Sequence, residues 1–292
     1  MIDKLDYFIA LAAERHFGRA AERLGITQPT LSAGLRQLEA QLGVTLVNRG
    51  SRFQGITAEG ERVLVWARRI SGDVRAMRDD ISGLDGLRGH LTIAVIPTAL
   101  AIVAKLTTPF LDRHPDVTFE ILSRTSAEIV AGLEDFEFDL GITYLDERLQ
   151  RAEGRLLYSE RYCLVTANTA DGEGRERISW AEAAKLRLCL LTGAMQNRRI
   201  LDRHLREAGG PFRTAMESNS MIALMAHVRT GRFATIMPLR SAEILGLGDS
   251  VRTVPIVDPD VSYDVALARS QRSPHIPLVE RFWAESAEVA FD

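Results

Sequence analysis

The chain has 292 residues, 46% of them apolar and 26% charged, with a net charge of −3. These are the proportions of a soluble globular protein of two or three domains. No run approaches the roughly 18 to 20 apolar residues of a membrane-spanning helix. The start, MIDKLDYFIALAAERHFG, lacks the basic stretch, apolar core and small-residue cleavage site of a secretory signal, which points to the cytoplasm. Charge is split: residues 1–90 carry +2 and the remainder −5, a small basic bias that suits a compact DNA reader.

Three helical patterns fill the first 45 residues. Leu5, Phe8, Ile9 and Ala12 recur at helical spacing, with Asp3 as a cap. A short second helix carries Ala20, Ala21 and Leu24, and ends at Gly25, which can take the left-handed conformation of a tight turn. The third begins at TQPTLS, where Thr27 is an N-cap and Pro29 is tolerated in the first turn; Leu31, Leu35, Leu38 and Leu42 form its expected buried stripe. Ala21 allows a close helix crossing, Gly25 turns four residues later, and Leu31 follows after six more. That is the spacing of a DNA-binding helix-turn-helix. Gln28, Pro29, Thr30, Ser32, Ala33 and Arg36 are left facing outward. Gln pairs with an adenine edge, Thr touches a thymine methyl, and Arg reaches a base or phosphate. A helical hairpin inside a larger domain is the competing reading, and it leaves this polar outward face without a purpose.

The segment AAERLGITQPTLSAGLRQLEAQLGVTLVNR, followed by ITAEGERVL, resembles the N-terminal domain of the LysR-type transcriptional regulators. The matching elements are Ala20, Ala21 and Leu24; Thr27, Gln28, Pro29, Leu31 and Ser32; Leu38 to Arg49; and Ile56 to Gly60. The resemblance implies a winged helix-turn-helix over residues 1–60, with a wing from Asn48 to Thr57 bringing Arg49 and Arg52 near the DNA backbone or minor groove. Gly34 departs from the pattern, at a cost of roughly 1 kcal/mol relative to Ala. Ala33 and Gly34 stand where many members carry long polar side chains, which shifts readout toward DNA shape. His16 receives no role.

From Thr57 one long helix is expected, reaching to a glycine-rich hinge at Gly83, Gly86 and Gly89, so that 58–89 form a linker. Val63, Ile70, Met77 and Leu84 repeat every seven residues, as do Ala67, Val74 and Ile81. Two interleaved rows make a coiled-coil seam and hence a homodimer or homotetramer; a single amphipathic helix lying on its own domain is the alternative.

Residues 90–292 alternate strand and helix, implying helices around a parallel sheet. The family resemblance extends here to a two-lobed α/β effector domain similar to type II periplasmic binding proteins. Lobe I is expected over about 90–160 and 266–292, and lobe II over about 161–265. Ligands in such sheets bind beyond the carboxyl ends of strands, at helix N-termini. The polar groups falling there are Thr98, Thr125, Ser126 and Thr143 from one lobe. Thr192, Gln196, Asn197, Ser218 and Asn219 come from the other. They suit a small anion or carboxylate, although each also suits a plain helix cap. Arg198 and Arg199 are counter-charges or a solvated face. Cys163 and Cys189 lie in apolar runs and read as small buried hydrophobes, with a redox switch as the rival function. No phosphate loop, nucleophile elbow or metal spacing is present, so neither a cofactor nor a metal is expected, and an enzyme built on the α/β portion stands only as the rival from a different class. The resemblance implies a sequence-specific regulator, more often an activator, whose partners are double-stranded DNA, a small-molecule effector and RNA polymerase.

Overall fold

The computed structural model describes residues 1–49, 53–82, 87–168, 176–246, 248, 250–271 and 275–291; for 49, 75, 76 and 79–82 it describes the backbone alone. The chain divides into two compact units, Met1–Arg88 with Asp135–Glu137 and Pro274–Glu280, and Gly89–Glu134 with Phe138–Ser273 and Arg281–Asp292.

In the first unit, helix α1 (Ile2–Glu14) begins ahead of Asp3, which is a first-turn acid near the positive end of the helix dipole and not a cap. Helix α2 (Phe17–Arg23) is capped by His16, whose Nδ1 accepts from the backbone N–H groups of Gly18 (3.1 Å) and Arg19 (3.3 Å). The chain then turns through Gly25 at φ 65° into α3 (Gln28–Leu42). The buried face of α3 is Leu31, Gly34, Leu35 and Leu38, whereas Leu42 is 41% exposed. The core is centred a turn earlier than the leucine spacing suggests, because α1 crosses α3 at Gly34. A Cβ there would lie 2.6 Å from Cδ2 of Tyr7. Gly34 is thus a close-packing position, and its helix-propensity cost accompanies a tight crossing.

Strands β1 (Val47–Arg49) and β2 (Phe53–Ile56) form an antiparallel pair. Glu39, near the end of α3, fixes its start: one carboxylate oxygen accepts from the N–H of Leu46 (2.9 Å) and of Val47 (3.4 Å). Helix α4 (Ala58–Ser82) follows. The Thr57 hydroxyl accepts from the N–H of Gly60 (2.9 Å) and donates to the Thr45 carbonyl (2.6 Å), capping the helix and tying it to the wing. Gly60 passes so close beneath the wing that a Cβ would meet the Leu46 carbonyl oxygen at 2.2 Å. Leu64 and Ala67 join the core of Leu5, Phe8, Leu11, Leu31, Leu35 and Leu38, with Val63 and Ile70 packed on it. The first turns of the predicted seam therefore serve the domain's own core. Trp66 (59%) and Met77 (55%) remain exposed. Gly83, Leu84 and Gly86, and the side chain of Ile81, lie outside the described residues.

In the second unit the sheet is mixed, not simply parallel. Strands β3 (Gly89–Val95), β4 (Val117–Ser123) and β5 (Leu140–Tyr144) are parallel. Helices α5 (Val103–Arg113) and α6 (Ser126–Glu134) connect them. Helix α5 begins at Val103, after a 3-10 turn over Pro97–Ala99 that carries Thr98. Strand β6 runs from Ala152 to Ala167, starting before the expected lobe boundary at about 161. Its first half pairs with β12 (Ser262–Ser270), which returns antiparallel to β5. Its second half, from Tyr162, pairs with β10 (Thr235–Pro238) and β11 (Val251–Val257). One strand thereby passes through both lobes. The early half of β6 is hidden from hydropathy because its inward face, Tyr158 and Glu160, is polar.

The second lobe contains β7 (Ile178–Ser179), which pairs with β11, then α7 (Trp180–Ala183) and the parallel pair β8 (Leu188–Leu191) and β9 (Thr214–Ser218). It also contains α8 (Gln196–Gly209), α9 (Met221–Val228) and α10 (Leu239–Ile244). Ser220, not Asn219, caps α9. Strand β11 and helix α10 have no counterpart in the sequence reading. Helix α11 (Pro277–Glu285) closes the chain, and its Phe282 meets Phe110 and Phe119 edge to face at 5.0 and 5.5 Å.

Candidate nucleic-acid interface and effector cleft

At the start of α3 the Thr27 hydroxyl accepts from the Thr30 N–H (3.3 Å) and lies 2.8 Å from the Thr30 hydroxyl. This pins the first turn, leaving Gln28, Pro29, Thr30, Ala33 and Arg36 exposed and Ser32 half-buried. The Arg36 Nε donates to the Ser32 carbonyl (3.3 Å), which lays the guanidinium along the helix surface. Gly34 is not on this face. Arg49 continues the first wing strand but its side chain, like all of Arg52, lies outside the described residues. Arg19 and Arg23 of α2 are held by Glu14 at 3.4 and 3.3 Å.

The second candidate site lies at the carboxyl ends of β3 and β5. The backbone closes there: the Ile96 N–H donates to the Ile142 carbonyl (3.0 Å), and that of Arg124 to Val95 (3.0 Å). Thr98, Ser126 and Thr143 are all buried, at 2%, 3% and 1% exposure, and none of their hydroxyls has a hydrogen-bond partner among the described residues. Buried hydroxyls are nearly always bonded, so these three, at strand ends and helix starts, are candidates to bond a group from outside the fold. Thr125 is different. Its hydroxyl donates to a Glu128 carboxylate oxygen (2.8 Å) and accepts from the Glu128 N–H (3.2 Å), a capping box that uses it up. The Thr125 N–H bond to that carboxylate holds Glu128 below the usual carboxylate range.

In the second lobe, Thr192 is half-buried in the turn that starts α8, its carbonyl accepting from Met195 N–H (3.0 Å). Gln196 accepts from Arg148 (2.7 Å) and Arg199 (2.8 Å), and donates to Asp146 (3.4 Å). It therefore bridges the segment after β5 to α8. Asn219 is exposed beside the α9 cap. Arg198 neither faces the cleft nor solvent: it is buried and donates to Asp202 (2.6 Å), Glu217 (2.8 Å), the Leu191 carbonyl (2.8 Å) and Thr214 (3.0 Å).

Both cysteines are fully buried in a sulfur-rich core with Met225 and Met237. Their thiols point at backbone carbonyls, Cys163 at Met237 (3.6 Å) and Cys189 at Ala234 (3.5 Å). Burial pushes Cys163 up to about 12 and Cys189 up to about 11. A thiol so held is not a nucleophile near neutral pH. Sequence reasoning missed two features. Glu39, the wing anchor, was visible only as a helix glutamate. The inward Tyr158, Glu160 and Tyr162 of β6 were signalled by their alternation, which an apolar strand template does not register.

Two family models match the chain: the bacterial regulatory helix-turn-helix protein of the lysR family over residues 2–61, and the LysR substrate binding domain over 84–290. The chain belongs to the LysR family. Among its curated relatives, a hydrogen peroxide-inducible genes activator of Pectobacterium carotovorum is 27% identical over 94% of this chain and 91% of that protein. The HTH-type transcriptional regulator IlvR of Caulobacter vibrioides is 30% identical over 89% of each. A full-length OxyR variant from Pseudomonas aeruginosa superposes with a TM-score of 0.76 at 23% identity, covering 100% of this chain and 95% of that one. CbnR, a LysR family regulator, superposes at 0.70 and 23% identity over the full length of both. This LysR-family chain is a DNA-binding transcriptional regulator with an effector domain, from a family whose members form oligomers. No helix among its described residues is long and apolar enough to cross a membrane.

Proposed function

We propose that this regulator reads double-stranded DNA through Gln28, Pro29, Thr30, Ser32 and Arg36, with Arg49 and Arg52 on the wing, and that a small carboxylate bound between its lobes controls it. The observation that carries the effector reading is the set of unpaired buried hydroxyls at Thr98, Ser126 and Thr143. Three short donors at strand ends suit the oxygens of an oxyanion. Gln196, Thr192 and Asn219 would complete the site from the second lobe, so a ligand touching both sides favours closure. Thr125, already used as a cap, contributes through its backbone. The 1–60 reader, the 58–89 linker and the 90–292 effector domain act in series. The protein works as a cytoplasmic homodimer or homotetramer, is not an enzyme, and activates with RNA polymerase. The elevated thiol pKa values support small-molecule control over thiol chemistry.

In a thermal-shift screen of small carboxylates, a ligand specific for the folded form raises the melting temperature. Thr98→Val should weaken that ligand about tenfold to a hundredfold, the worth of one charge-assisted hydrogen bond, with promoter binding unchanged. A full ligand response in the variant would remove Thr98 from the site. Arg36→Ala should weaken binding to the DNA flanking the regulator's own gene by about tenfold in a gel shift, without lowering thermal stability. Unaltered affinity would take Arg36 off the contact surface.

A further inference from the structure

Strand β6 exchanges partners between Arg161, which pairs with Ser262 of β12, and Tyr162, which pairs with Pro238 of β10. Glu160 stands at this crossing and is 1% exposed. One carboxyl oxygen accepts from the hydroxyls of Tyr144 on β5 (2.5 Å) and Tyr162 (3.1 Å); the other has no partner among the described residues. The Asn197 amide on α8 donates to the Tyr144 hydroxyl (3.5 Å). One carboxyl therefore gathers a strand of the first lobe, the shared strand and, through Tyr144, the first turn of a second-lobe helix. We propose that Glu160 is a proton-operated joint between the two lobes: as a carboxylic acid it stays packed at the crossing, and as a carboxylate it draws in water and loosens the lobes.

The physical basis is the cost of a buried charge with one oxygen unpaired. An open joint would solvate that charge, whereas the packed one accommodates the neutral acid. Among the described residues, the surrounding elements offer hydroxyls and an amide rather than a partner ion. Those groups are Tyr144 from β5, Tyr158 and Tyr162 from β6, and Asn197 from α8. Tyr263 of β12, in register with Glu160, is engaged with His204 (2.7 Å) and Arg203. On α10, Arg240 lies 5.3 Å from the Tyr158 ring and donates to the Phe291 carbonyl. Burial raises the Glu160 carboxyl to about 7, against two tyrosine bonds that lower it. The joint would thus respond across neutral pH, an input separate from the effector.

Hydrogen exchange of the full chain at pH 6 and pH 8, corrected for intrinsic exchange rates, tests this. Amides of 144–148 and 195–198 should lose about tenfold in protection at pH 8 relative to those of β3, the change expected when a packed carboxyl near 7 competes with an ordinary solvated one. Glu160→Gln, a permanently neutral side chain, should show no such loss. Constant protection in the wild type, or a pH response surviving in Glu160→Gln, would overturn the proposal. Should that variant fail to fold, Tyr162→Phe removes one donor to the carboxylate and should move the transition to higher pH; an unmoved transition overturns the proposal equally.

Discussion

Replacing Arg198 with alanine should destabilise the effector domain by about 3 kcal/mol, and calorimetry of the full-length protein would show it as a lowered transition for that domain alone. The guanidinium holds the α8 carboxylate of Asp202, Glu217 of β9 and the carbonyl ending β8, so its loss leaves Asp202, 17% exposed, with only the 3.5 Å contact to the exposed Arg206 and beside a second acid. Breaking one side of a buried ion network typically costs 3–5 kcal/mol, and the half-exposure of Glu217 places this one at the lower end. Arg198→Met, which keeps the stem but not the charge, should recover little, because the acids and the Leu191 carbonyl still lack their donor. A variant within 1 kcal/mol of wild type would mean that water replaces the guanidinium readily.

The second large effect is expected at Gly60. Gly60→Ala places a methyl 2.2 Å from the Leu46 carbonyl oxygen and 2.5 Å from the Ile56 side chain. The obstacle is backbone, which cannot step aside, so either the wing lifts or the start of α4 moves. A cost of about 3 kcal/mol or more follows from comparable overpacking, and specific DNA binding should fall with it. Circular dichroism should show a destabilised N-terminal domain. A variant with normal stability and normal promoter affinity would show that the wing absorbs the clash. Gly25→Ala is a useful contrast: nothing lies within 4 Å of a Cβ there, so only the positive φ of 65° resists substitution.

Legibility from sequence differed between the two halves for a physical reason. The reader is specified by local rules: a cap at Thr27, a left-handed turn at Gly25, and leucines at helical spacing each act within a few residues. Gly34 reads in the sequence only as a helix-propensity cost, because its role, admitting Tyr7, depends on α1 from elsewhere in the chain. The effector domain is specified by long-range pairing. That β6 joins both lobes follows from register with β12, β10 and β11, strands roughly 70 to 120 residues away in sequence. Thr98, Ser126 and Thr143 were found as strand-end hydroxyls, but only burial separates them from Thr125, which is spent on Glu128. Arg198 looked like a surface arginine, because the residues that enclose it come from three elements.

The tie between the wing and α4 has a mechanical consequence. Thr57 caps the helix and bonds the Thr45 carbonyl, its N–H donates to Leu46 (3.0 Å), and Gly60 runs beneath that same residue. The wing and the helix therefore turn as one lever. From Ala58 to Ser82 the lever is about 36 Å long. Tilting it by about 5° carries its far end, at Ser82, through about 3 Å. A small rotation of the wing is thereby magnified at the carboxyl end of α4, and a displacement there returns to the wing as a rotation of only a few degrees.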